Sequence, residues 1–249
     1  MSSIRIGTWN IKNNYFNLRK NDRKIVAIKE LLNRTNLDVL ALQDVSGILL
    51  DKLEKELELY HYHLDRYLYL NHPMMPTPFE IHNVVIIKDS FINNTDVLKL
   101  KTLSPTASIL DIPALKHKYV SKVYIQDEKD KNIAFDLYNV NLDERVNVVE
   151  TQLESLGESL NEKNPMIVMG SLNISSTSIE MAQFRYKFLN KKMLTTIDVP
   201  TKTYKYSEED EATDHIIIPN WYKVEEVHVV EDYDNVSSHY PVIAKIKMR

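Results

Sequence analysis

Residues 4–9 alternate: Ile4, Ile6 and Thr8 fall to one side, Arg5, Gly7 and Trp9 to the other. This period of two predicts a first strand ending near Asn10. After the polar run Lys12-Asn13-Asn14, the stripe Ile25, Ile28, Leu31 and Leu32 predicts a helix capped by Asp22. The run 38–43 is a second buried strand, and it delivers Gln43 and Asp44 to its end. Leu49, Leu53 and Leu57 mark another amphipathic helix, followed by a strand around 61–64.

Pro73, Pro76 and Pro78 make a loop, since each removes an N–H and restricts its neighbour. Strands resume at 83–87 and 97–100. A second loop, 102–116, leads to a hairpin of 119–125 and 133–141 around the charged turn 127–131. Val146, Val149, Leu153, Leu156 and Leu160 then mark a four-turn helix. It runs into the apolar stretch 165–169, which stops at Gly170 and presents Ser171 and Asn173. A short helix over 178–189 and strands at 213–218, 224–230 and 242–246 complete the chain. Strands alternating with helices, then hairpins, then the same again, predict an α/β four-layer sandwich of two packed mixed β-sheets flanked by helices. No repeat or linker divides it, so residues 1–249 are read as one domain.

Composition narrows the chemistry. There is no cysteine, which excludes disulfides, thiolate nucleophiles and Cys-based zinc sites. A net charge of -4 gives no global attraction to nucleic acid, so any such binding needs a local patch. No apolar run reaches the roughly 20 residues of a membrane span. Residues 1–6 enter a strand pattern without the basic and apolar regions of a signal peptide, and the expected location is the cytoplasm.

Several strand ends carry polar residues of compatible types: Asn10, Gln43-Asp44, Asn139 and Asn141, Ser171 and Asn173, Asp214-His215, and Ser238-His239. Carboxylate and amide oxygens suit a hard cation such as Mg²⁺, and a His beside a carboxylate suits a general base or a phosphate contact. Together they point to a phosphoester site.

Six segments resemble the metal-dependent exonuclease-endonuclease-phosphatase superfamily in order and spacing. They are Thr8-Trp9-Asn10-Ile11, the run 38–43, Asn139-Val140-Asn141-Leu142-Asp143, Met169-Gly170-Ser171-Leu172-Asn173, Thr213-Asp214-His215-Ile216 and Ser238-His239-Tyr240-Pro241-Val242. The resemblance implies that these loops meet at one edge of the sandwich. It implies Mg²⁺ on Asn10 and Asp44, catalytic roles for Asp214, His239 and Asn173, and Asn139 and Asn141 in the phosphate or substrate cleft. Four positions depart from the family pattern: Asp44 stands for a Glu, one methylene shorter and still suited to be a ligand, and at three others a charge-bearing residue is replaced by a neutral one. Asn141 stands for a His, and cannot carry positive charge toward a phosphate. Ser171 stands for an Asp and brings no charge to activate water, and Ser238 replaces a metal-associated Asp. General acid–base groups contribute roughly 10²–10⁴-fold each, so these losses point to absent or strongly impaired hydrolysis.

Three readings follow: a degenerate phosphodiesterase whose cleft still binds a phosphorylated ligand, nucleic acid or protein; an active Mg²⁺-dependent nuclease or phosphatase with a rearranged site; and a protein-interaction module with no cleft ligand. Asp214 and His239 also read as a structural hydrogen bond between two loops, and Asp44 as a helix cap. Nothing marks a base for Ser171 as a nucleophile. His61, His63 and His72 are spaced too loosely for a metal set. Lys116-His117-Lys118 and Lys191-Lys192 are read as solvated faces, and as a phosphate patch only where they line the edge of Asn10 and His239.

Overall fold

A computed structural model describes residues 2–12, 18–70, 81–99, 119–160, 163–207, 211–233 and 235–248. The first half runs β1 (Ser3–Asn10), α1 (Leu18–Thr35), β2 (Val39–Ser46), α2 (Gly47–Leu57), β3 (Tyr62–Leu70), β4 (Ile81–Lys88) and β5 (Phe91–Lys99). The second half runs β6 (Tyr119–Asp127), β7 (Ala134–Asn141), α3 (Val146–Ser159), β8 (Met166–Ser171), α4 (Ile179–Phe184), β9 (Leu194–Thr196), β10 (Asp214–Pro219), β11 (Lys223–Val229) and β12 (Val242–Lys247).

The strands form two six-stranded sheets, ordered β11-β12-β1-β2-β4-β3 and β5-β6-β7-β8-β10-β9. Each has one parallel pair at its centre. In the first sheet β1 and β2 run together to Asn10 opposite Gln43, and in the second β7 and β8 run together to Asn141 opposite Ser171. Antiparallel neighbours add the starts of later strands to the same edge: Asp214 of β10 lies opposite Ser171, and Val242 of β12 opposite Thr8. Two parallel pairs ending at one edge therefore place four strand ends there.

Strand alternation divides the apolar residues between layers. Ile4, Ile6, Val39 and Val85 meet Val123, Phe135, Leu137, Ile167 and Ile216 between the sheets. Ile28, Leu31, Leu49 and Leu53 of α1 and α2 pack on Leu40, Leu42 and Val84 outside the first sheet. Leu153, Leu156, Met181 and Phe184 of α3 and α4 cover Tyr138, Val140 and Val168 outside the second. The expected four layers are present.

Local chemistry corrects several details. Asp22 does not cap α1: the helix begins at Leu18, and the Asp22 carboxylate pairs with Lys52 Nζ of α2 at 2.9 Å. The cap of α2 is Ser46, whose Oγ accepts from Leu49 N, so Asp44 is not a cap. Ser178 caps α4, which continues as a π-helical turn over Arg185–Leu189. β9 has three residues, too few to show a period. His72, the prolines at 73, 76 and 78, the stretch 102–116 and Lys116-His117-Lys118 lie outside the described residues.

Candidate functional site

The shared strand edge carries two polar layers, a buried network and an open cleft above it. The network begins at β8. Gly170 has φ 142°, and a Cβ there would lie 1.9 Å from the Val140 carbonyl oxygen. Only a glycine lets β8 turn so close to β7 and still deliver the next residue to the edge. That residue, Ser171, is fully buried; its hydroxyl accepts from Asn10 Nδ2 at 3.1 Å and donates to Asp214 Oδ1. The other Asp214 oxygen accepts from His239 Nδ1 at 2.8 Å. Asp214 is 0% and His239 2% exposed. Burial pushes the Asp214 carboxyl up, but the His239 charge and the hydrogen bonds from His239, Ser171 and Thr203 outweigh it and hold it below the usual carboxylate range.

The surrounding loops fix this network. Thr203 Oγ1 accepts from the backbone N–H groups of Thr213 and Asp214 at 3.0 and 2.9 Å. The Tyr204 ring packs on the His239 imidazole with centroids 4.8 Å apart. Trp9 Nε1 donates to the His239 carbonyl at 2.9 Å, and Ser237 Oγ donates to the Asn10 carbonyl at 2.7 Å. Ser238 contributes its carbonyl, which accepts from Lys205 N at 2.8 Å.

The open cleft, about 520 Å³, is lined by Lys12, Asp44, Asn141, Asp143, Glu144, Arg145 and Asn173, together with Leu142. Three of these hold left-handed backbone although none is glycine: Lys12 at φ 47°, Asp44 at 54° and Asn173 at 55°. Asp44 owes this to a break in the β2–β4 register between Leu42 and Val45, a bulge that re-aims a side chain. Its Oδ1 accepts from Asn141 Nδ2 at 2.8 Å. Asn173 Nδ2 donates to the Leu142 carbonyl at 2.7 Å.

Lys12 is held by both its backbone groups. Its N–H donates to Asn10 Oδ1 at 2.9 Å, and its carbonyl accepts from Lys24 Nζ at 2.8 Å. Lys24, only 2% exposed, also donates to the Ile11 carbonyl at 2.8 Å. The Lys12 ammonium pairs with Glu144. Burial pulls its pKa down, yet Glu144, then Asp44 and Tyr204, hold it above its ordinary value. Arg145 grips Asp143 with two bonds of 2.9 and 3.0 Å.

The sequence-derived set is therefore split. Asp44, Asn141 and Asn173 line the cleft, while Asn10, Ser171, Asp214 and His239 form the network beneath it. Asn139 goes elsewhere: it lies between the sheets, donating to the Leu42 and Val84 carbonyls at 3.0 and 2.9 Å and accepting from Gln43 Nε2 at 2.8 Å. Both ends of its side chain are taken up by the other sheet, and it does not line the cleft. Lys191 and Lys192 line a different cavity with Lys163, Pro165, Met166 and Trp221, at the opposite end of β8. His61 and His63 stand 3.7 and 3.8 Å from the Asp89 carboxylate. Sequence patterns do not reveal Lys12, Lys24, Thr203, Tyr204 or Ser237; the tripeptide Asn10-Ile11-Lys12 is the one signal for the first.

An α/β sandwich with two parallel strand pairs ending on one polar cleft is a nuclease and phosphatase type of fold. The profile of the Endonuclease/Exonuclease/phosphatase family matches residues 7–239, and the chain belongs to that family. Solved structures agree over its whole length. An endonuclease/exonuclease/phosphatase from Bacteroides vulgatus superposes with a TM-score of 0.78 at 14% identity, covering 100% of both chains. The human Nocturnin catalytic domain with bound sulfate anion gives 0.75 at 15% identity over 99% of this chain and 94% of that one. A mannosyl-6-phosphatase from Bacteroides thetaiotaomicron gives 0.75 at 15% identity over 98% and 100%. At such identities the likeness establishes the fold. A comparison with characterised protein sequences gives no match. Among the described residues no helix is long and apolar enough to cross a membrane.

Proposed function

We propose that this protein is an Endonuclease/Exonuclease/phosphatase fold whose cleft keeps the binding of a phosphate-bearing ligand and has lost hydrolysis. One observation carries the reading: at the end of β8 the Ser171 hydroxyl spends its hydrogen on Asp214 while accepting from Asn10. A hydroxyl in that position carries no negative charge, and the one base it touches, Asp214, is held below the usual carboxylate range and takes its proton poorly, while His239 faces the other oxygen of that carboxylate. Asn141, where the resemblance implies a histidine, donates to Asp44 instead of presenting a cation to a phosphate.

The donor chemistry disagrees with Mg²⁺ at the implied ligands. Mg²⁺ takes oxygen donors, usually one or two carboxylates with waters. Asn10 Oδ1 already accepts from Lys12 N and Asp44 Oδ1 from Asn141 Nδ2, so the two implied ligands bring one negative charge, which Asn141 shares. The other carboxylates of the cleft carry protein cations, Arg145 on Asp143 and Lys12 on Glu144. Among the described residues no group of three or more His, Asp or Glu side chains is gathered to hold a metal. The sulfate anion bound to the human Nocturnin catalytic domain supports the reading, since it is a tetrahedral anion on a protein of this fold.

The test is incubation of plasmid DNA, single strands, RNA and a chromogenic phosphodiester with Mg²⁺ or Mn²⁺. The expected result is no turnover above buffer. Reproducible turnover abolished by His239→Ala would refute the loss of hydrolysis. Activity created by the combined changes Asn141→His, Ser171→Asp and Ser238→Asp would support the three departures as its cause.

A further inference from the structure

The disagreement between the cleft and a divalent ion has a positive side, since the cleft holds cations of its own. We infer that the Lys12 ammonium is the group by which this cleft holds an anion, so that a phosphate-bearing ligand binds without metal and displaces Glu144. The inference rests on the binding half of the function proposed above, and adds the residue, the competitor and the independence from metal.

Three observations support it. First, the position of Lys12 is imposed. A lysine at φ 47° is strained, and such backbone persists where surrounding bonds over-determine it. Here Asn10 Oδ1 holds its N–H, and the ammonium of Lys24, itself buried, holds its carbonyl and that of Ile11. A buried lysine spent on two backbone carbonyls beside the cleft is a costly device for a surface loop. Its effect is to fix Lys12, two residues past the β1 end, where it lines the cleft together with Asp44, Asn141 and Asn173.

Second, the anion now on Lys12 is weakly held. Glu144 has 67% of its side chain exposed and Lys12 36%. Exposed ion pairs contribute little, so exchange of the Glu144 carboxylate for a ligand phosphate meets little resistance. Glu144 is then an internal occupant of the anion position.

Third, the charges of the neighbours limit an anion to the Lys12 position. Arg145 lines the same cleft but is engaged by Asp143 through two bonds of 2.9 and 3.0 Å, which leaves Lys12 as the cation an incoming phosphate takes over. The two cations of the wall face three carboxylates, Asp44, Asp143 and Glu144, so an anion fits only where it takes the place of one of them, as on Lys12.

The experiment is calorimetric titration of phenyl phosphate into the full chain, once in EDTA and once in Mg²⁺. The expected result is the same Kd in both. Hydrogen bonds to charged groups are strong enough that Lys12→Gln should weaken binding by about ten-fold or more, while Lys12→Arg retains most of it. Glu144→Gln should tighten binding several-fold in the parent chain and have no such effect in the Lys12→Gln background. Circular dichroism melts of each variant show that the fold is kept. Binding that requires Mg²⁺, or that survives Lys12→Gln, would overturn this inference and leave retained binding standing. Absence of binding in both buffers would overturn retained binding and this inference together. Hydrolysis in Mg²⁺ with metal-independent binding would overturn only the loss of activity.

Discussion

Restoring a carboxylate at Ser171 by itself should harm this protein. The Ser171 hydroxyl touches Asp214 Oδ1 with both residues fully buried, so Ser171→Asp places a second carboxylate against the first. Two unit charges about 4 Å apart at an effective dielectric of about 20 repel by about 4 kcal/mol. His239 already lies on the far oxygen of Asp214, and Asn10 Nδ2 offers one neutral donor to the newcomer, which offsets only part of that cost. Unfolding entropy of about 2.1 cal/mol/K per residue gives about 0.5 kcal/mol/K for this chain, so Tm should fall by about 8 °C near neutral pH. The pH dependence fixes the cause. The repelled carboxyl has a folded pKa above its unfolded value, so the deficit is full at neutral pH and shrinks as the pH falls toward the unfolded value. Melting curves at neutral and mildly acidic pH, followed by circular dichroism, measure both effects. A Tm unchanged at neutral pH, or a deficit that ignores pH, would refute the closed network. Recovery of the lost Tm on adding Mg²⁺ would show that a metal site had been rebuilt, against the donor chemistry argued above.

Three further perturbations probe the frame. Gly170→Ala should cost more than about 3 kcal/mol or abolish soluble expression, since its Cβ meets the Val140 carbonyl and its φ is unsuited to alanine; urea melts measure it. Asn139→Ala leaves the Leu42 and Val84 carbonyls and Gln43 Nε2 without their partner, and should cost about 2–3 kcal/mol in the same assay with phenyl phosphate affinity unchanged. Burial holds the His82 pKa down at about 4, so stability is complete above its unfolded value of about 6.5 and falls as the pH drops toward 4. His82→Gln should flatten that part of the stability profile, and an unchanged slope would refute the assignment.

Periodicity reveals the layers because each apolar stripe has one face to bury: Ile4 and Ile6 turn inward to the other sheet, and Leu49 and Leu53 turn down from α2. It fails where a side chain serves the backbone. Asn139 sits at the same strand spacing as Asn141 and both bond across to the first sheet, yet one is sealed on backbone carbonyls and the other lines the cleft on Asp44, a difference of depth that a period of two does not record. Lys24 looks like any polar position on a helix, because its value depends on carbonyls twelve and thirteen residues away. The motif spacing correctly suggests Asp214, His239 and Ser171 as neighbours. It cannot show that all three are sealed, because burial here comes from Tyr204 and Thr203 in a loop without any pattern of its own.

The bonds between the sheets also make the two ends of the sandwich mechanically unlike. At the cleft end, Asn10 with Ser171, Asn141 with Asp44 and Asn139 with Gln43 cross from one sheet to the other through directional bonds. Away from the cleft the sheets meet chiefly through side chains such as Ile4, Phe135 and Ile167, whose attraction has no preferred direction, with polar bonds from Asn93 to Asp65 and, at the far end, from Ser2 to Asp130. Directional bonds across the sheets are therefore denser at the cleft than elsewhere. A core substitution near Ile4 or Ile167 should then lower stability while the denser bonds at the polar edge keep the spacing of Lys12, Asp44 and Asn173.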